Sequence, residues 1–91
     1  MKFMIAWKIA PGCYKMAVDR FLTTGAPDPA GVKTIARWHA PASSYGWHVV
    51  EADAAGVAEL ETVWGDVLEI QVTPVIEDAE AARSLAKVHG K

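Results

Sequence analysis

Residues 32–52 read VKTIARWHAPASSYGWHVVEA, and this stretch decides the fold. On either side of Ala40-Pro41-Ala42-Ser43-Ser44 the chain is rich in β-branched and aromatic residues, so residues 32–39 and 45–52 read as two strands. A connection this short makes them a hairpin. Toward the N-terminus, residues 2–9 form another strand, closed by Pro11-Gly12. Between that strand and the hairpin, Tyr14, Ala17, Val18, Phe21 and Leu22 fall on one helical stripe, with Lys15, Asp19 and Arg20 opposite. Gly25 suits the left-handed residue past the helix end, and Pro27 and Pro29 hold residues 23–31 as a loop.

The C-terminal side mirrors this order. Asp53 is placed to cap a helix whose stripe is Val57, Leu60, Val63 and Trp64, with Glu59 and Glu61 in water and Gly65 as its stop. Residues 67–76 form a fourth strand, in which Pro74 lacks a donor and so marks an edge position or a bend. Asp78 then caps a terminal helix with Glu80 and Lys87 matched to its dipole and Ala82, Leu85 and Val88 on its apolar side. The order β-α-β-β-α-β plus a helix gives an α+β, ferredoxin-like domain with a four-stranded antiparallel sheet, spanning residues 1–91 as one unit. In this plan the helices cover one sheet face. Phe3, Ile5 and Trp7 alternate with Met4 and Ala6, and Val49 alternates with Val50, so the central strands carry apolar side chains on both faces. A second copy is the simplest cover for the second face, and a homodimer with sheets face to face is expected.

Composition sets bounds on partners. With 52% hydrophobic and 22% charged residues and a net charge of −2, the chain is neither disordered nor basic enough for nucleic acid. The five apolar residues after Lys2 are too few for an export signal or a membrane span. One cysteine, Cys13, allows no internal disulfide and no cysteine-built metal site, which points to a reducing, cytoplasmic setting; its place at a helix start could activate the thiol. Phosphate loops, metal motifs and nucleophile elbows are absent from the sequence.

A family resemblance runs through Phe3-Met4-Ile5-Ala6-Trp7, Arg20-Phe21-Leu22 with Thr24-Gly25-Ala26-Pro27, and Gly31-Val32-Lys33. It continues in Arg37-Trp38-His39, Val49-Val50-Glu51-Ala52-Asp53, Trp64, Leu68-Glu69 and Val72-Thr73-Pro74-Val75. These segments resemble a family of short bacterial domains of unknown function within the dimeric α+β barrel superfamily. The resemblance implies the ferredoxin-like fold and a dimer whose sheets form a barrel. Other branches of that superfamily include cofactor-free monooxygenases, muconolactone isomerases, haem-degrading enzymes and chlorite dismutases, with ligands between sheet and helices. None of their signatures is complete in this chain, so the resemblance implies no reaction.

Arg37-Trp38-His39 is the densest group of functional side chains. Alternation sends Arg37 and His39 to one face and Trp38 to the other. Arg37 suits a carboxylate or enolate, and His39 and His48 suit proton transfer; the plain alternatives are an ion-paired arginine, a solvated His39 and a core His48. Val67, Glu69, Gln71 and Thr73 share one face of the fourth strand, opposite Leu68, Ile70 and Val72, and Trp47, Val49 and Glu51 share one face of the third. A partly desolvated Glu69 or Glu51 would have a raised pKa and serve as a base, or else pair across a dimer, with Arg37 as one partner. Trp7, Trp38, Trp47 and Trp64, with Tyr45, supply bulk for a core or walls for a flat ligand.

Two functions of different class follow. One is a binding domain for a small apolar or aromatic molecule, without cofactor. The other is a cofactor-free oxygenase or isomerase in which Arg37 stabilises an enolate-like anion and His39, His48 or Glu69 is the base. Haem held by His48 or His39, and a ligand-free structural dimer, are the further alternatives.

Overall fold

A computed structural model of the protein describes residues 1–90. Strand β1 (Lys2–Ile9) is followed by helix α1 (Tyr14–Thr24), strand β2 (Lys33–His39), a 3-10 turn (Pro41–Ser43) and strand β3 (Tyr45–Glu51). Helix α2 (Ala54–Trp64), strand β4 (Leu68–Val75) and helix α3 (Asp78–His89) complete the chain. The strands pair antiparallel in the order β2-β3-β1-β4, which is the ferredoxin-like layout expected from the hairpin outward. Pro74 lies on β4, an edge strand, where its missing donor breaks no inner ladder.

Local chemistry accounts for the element ends. Gly25 takes φ 71° and its N–H closes α1 on the Phe21 carbonyl. The Asp53 side chain accepts from the Gly56 N–H at 2.8 Å and starts α2. Two end assignments change. Asp78 is the first residue of α3 rather than its cap; the cap position is Glu77, whose carboxylate takes Lys2 Nζ at 2.8 Å instead of a helix N–H. Val67 precedes β4 and is fully buried, with its N–H on Trp64 O and its carbonyl taking Ala10 N–H, so it does not share the bare face of Glu69.

The core lies between the sheet and α2. Phe3, Ile5, Val32, Val50, Ala52, Val57 and Leu60 form it, with Trp64, Ile70 and Val72 packed at its edge. Helix α1 fully buries only Ala17, so it spans the sheet without filling the space beneath it. Helix α3 buries none of its residues, and Leu85 and Val88 on its apolar side are exposed. No helix among the described residues is long and apolar enough to cross a membrane.

Candidate functional site

The helix-covered face of the sheet is solid at one end and hollow at the other. At the solid end Phe3 is in register with Val50, and α2 closes over both. At the hollow end Trp7 is in register with Gly46, and a Cβ on Gly46 would stand 2.4 Å from Trp7 Cζ2 and 2.3 Å from the Trp38 carbonyl. Only glycine lets the indole lie across β3. The result is a cavity of about 360 Å³ walled by β1 (Ile5, Trp7, Ile9), β4 (Leu68, Ile70), α1 (Tyr14, Val18, Phe21) and α2 (Leu60, Trp64).

One wall is polar. Arg37 and His48 face each other in register across β2 and β3, and both line the cavity. Arg37 Nη2 donates to the Ala26 carbonyl at 3.1 Å and lies 3.7 Å from Asp28 Oδ1. His48 is 6% exposed, and its Nε2 is 2.7 Å from Thr34 Oγ1, which also lies 2.8 and 2.7 Å from the two Asp28 oxygens. Burial pushes the His48 pKa down to about 4, and the Arg37 charge adds to this against the pull of Asp28. The imidazole is therefore uncharged at neutral pH. His39 also lines the cavity, its ring edge-on to Trp7 and Phe21 at 5.2 Å each.

The cavity rim holds unusual backbone. Ala26, Ala42 and Ser43 are the non-glycine residues with positive φ among those described, and all three line the cavity. Left-handed geometry costs an L-residue about 1–2 kcal/mol, and such strain collects where a site needs a particular shape. Tyr14 ties the rim down by donating its phenol to the Ala42 carbonyl at 2.6 Å.

The residues singled out from sequence divide between the two faces. Trp7, Arg37, His39, His48 and Trp64 line the cavity together. Trp38, Tyr45, Trp47, Glu51 and Glu69 do not, because strand alternation carries them to the bare face. There Trp38 is in register with Trp47, whose ring meets Tyr45 edge-on at 5.7 Å. Glu69 is exposed and in register with Lys8 on the bare face, so within one chain it does not meet Arg37. Glu51 reverses its expectation: the Met1 ammonium donates to it and holds its carboxyl below the usual carboxylate range.

Four contributors escaped the sequence reading. Glu61 is not in water; it lines the cavity, and burial pushes its pKa up. Its signal was present, since Val57, Leu60, Glu61 and Trp64 have the i, i+3, i+4, i+7 spacing of one stripe. Arg20, read from the sequence only as lying opposite the apolar stripe of α1, forks onto both Asp66 oxygens at 2.8 and 2.7 Å, and its guanidinium carbon lies 5.3 Å from the Trp64 ring centre, fixing that wall. Asp28 and Thr34 stand behind the polar wall and hold His48 without lining the cavity themselves. Among the described residues, no three His, Cys, Asp or Glu side chains are grouped to hold a metal ion. Haem ligation by His48 would have to use Nδ1, since Nε2 is engaged by Thr34.

The family described as "Domain of unknown function (DUF3303)" matches residues 1–89. No curated protein and no solved structure matches the chain.

Proposed function

The chain belongs to the DUF3303 family, and because that family is one of unknown function we propose a reading from the site itself: the domain binds a small, flat, apolar or aromatic molecule between the sheet and helices α1 and α2. The cavity carries this reading. Its volume of about 360 Å³ lies within the range of small-molecule sites, and its mostly apolar wall with a few convergent polar groups is their usual composition. No cofactor is needed for binding of this kind. His48 and Arg37, in register on the cavity wall, favour a second reading, a cofactor-free enzyme in which His48 serves as a weak base and Arg37 stabilises the resulting enolate-like anion.

The proposal includes a homodimer in a reducing, cytoplasmic setting. Trp38, Trp47 and Tyr45 are 56%, 42% and 49% exposed on the bare face, an aromatic patch of the kind that marks interaction surfaces. A two-fold axis would set that patch against itself.

Titration of the protein with naphthalene, followed by amide NMR shifts, tests the binding reading. Shifts are expected at Val18, Phe21 and Leu68, and the cavity-filling Val18→Trp substitution should abolish them. An absence of shifts, or shifts confined to Trp38 and Trp47 on the other face, would overturn it.

A further inference from the structure

The polar wall of the cavity has an acceptor left over. Thr34 has a single hydroxyl hydrogen, and the Asp28 carboxylate beside it can only accept. The Thr34 hydrogen therefore goes to Asp28, and Thr34 Oγ1 accepts from His48 Nε2–H. That fixes the tautomer and leaves the lone pair on His48 Nδ1. Among the described residues every fully enclosed side-chain nitrogen or oxygen has a partner, and His48 bonds through Nε2 only. Nδ1 therefore opens onto the cavity that its ring lines. An imidazole so deeply buried, oriented from behind and unpartnered in front, is a built acceptor.

Charge decides what it accepts from. Arg37 and Asp28 offset each other at 3.7 Å, and the buried His48 adds no charge at neutral pH. Glu61, on another wall, has its pKa pushed up by burial and brings no positive charge in either protonation state. The cavity thus has no surplus positive charge with which to hold an anion, while Arg37 makes a single hydrogen bond, to Ala26, and keeps further N–H groups to donate.

We infer that the cavity recognises an uncharged aromatic molecule by its hydroxyl group, which donates to His48 Nδ1 while Arg37 donates to an oxygen of the same ligand, with Thr34 and Asp28 as positioning residues. This rests on the cavity being a binding site and adds the chemistry of the ligand.

Calorimetry near neutral pH with 2-naphthol, naphthalene and 2-naphthoate tests both levels, since the probes share one ring system. The hydroxyl should make 2-naphthol bind about threefold to tenfold more tightly than naphthalene, the worth of one hydrogen bond. The carboxylate of 2-naphthoate should bind more weakly than 2-naphthol. Thr34→Val removes the group that holds the tautomer and should erase the preference for 2-naphthol over naphthalene, and Thr34→Ser should restore it; His48→Phe should erase it as well. Equal binding of naphthalene and 2-naphthol would overturn the hydroxyl inference and leave the cavity reading standing. Tightest binding of 2-naphthoate would overturn it in favour of an anion site. Failure of all three to bind would overturn both.

Discussion

Strand β3 shows two environments one residue apart. His48 is 6% exposed beneath the helices, and its neighbour Trp47 is 42% exposed on the other side of the sheet. Hydropathy alone would place them the other way round. The covered face of β3 carries Gly46, His48 and Val50, and the bare face carries Tyr45, Trp47, Val49 and Glu51. A polar ring enclosed and aromatic rings uncovered are both costly to a single chain unless something compensates. The covered face compensates internally, through Thr34 and Asp28, and still leaves an acceptor toward the cavity. The bare face has no compensation within the chain. On the proposed reading the two faces take different occupants, a small molecule on one and a protein surface on the other.

Acid should separate the faces most strongly. The His48 pKa lies near 4 folded against 6.5 unfolded, with Arg37 on β2 and Asp28 on the preceding loop as the charged groups facing it. Above 6.5 the ring is neutral in both states, and its contribution is fully present. As pH falls from 6.5 to about 4 the unfolded chain takes up a proton that the folded chain refuses, and stability drops by roughly 2–4 kcal/mol. Glu51 on the bare face acts lower: its folded pKa is depressed, so its contribution is lost only as pH falls below the ordinary value of 4.5. Urea unfolding across this range should show a slope between 6.5 and 4 that His48→Asn flattens. A flat profile in the native chain would mean that the covered face is wetter than its 6% exposure implies.

Substitution of small groups on the same strand sharpens the contrast. Gly46→Ala puts a methyl 2.3 Å from the Trp38 carbonyl, which is backbone and cannot swing aside. The expected loss is about 1–3 kcal/mol, together with a change in Trp7 fluorescence as the indole leaves its seat and the cavity deforms. Val49→Ala removes half-buried surface from the bare face and should cost roughly 0.5–1 kcal/mol in a single chain. A larger loss at Val49 than at Gly46 would show that the bare face is the better packed of the two.

The legible part of the molecule follows the same division. Alternation and helical spacing placed every strand and helix, because both depend on local periodicity, and they sent Arg37 and His39 to one face and Trp38 to the other. The network behind His48 was not legible. A β-bulge at Ile35 shifts the phase of β2, so that Thr34 pairs with Val50 and turns under the helices with Arg37, whereas simple alternation assigns it to the face of Trp38. Asp28 reaches Thr34 only because the proline-flanked loop folds back over the strand, and loop geometry has no period to read. Glu61 was readable and was misassigned, because charge was given precedence over stripe position.

The change most informative about the bare face is Trp38→Ser combined with Trp47→Ser. The rings are 56% and 42% exposed and make no hydrogen bond, so a monomer should lose about 1–3 kcal/mol of packing against the sheet and stay folded. The assembly should respond differently. If two sheets stack through this patch, sedimentation at micromolar concentration should move from twice the chain mass of 9.8 kDa to the mass of one chain. The melting temperature of the native protein should rise with protein concentration, and that of the double variant should not, because only association links stability to concentration. Naphthalene binding in the cavity should survive in the variant, since Trp38 and Trp47 are not part of its wall. Loss of ligand binding together with dimerisation would show that the second chain completes the site. A native protein that sediments as a monomer at every concentration would leave the tryptophan patch without a second copy and send the search for its occupant to another surface.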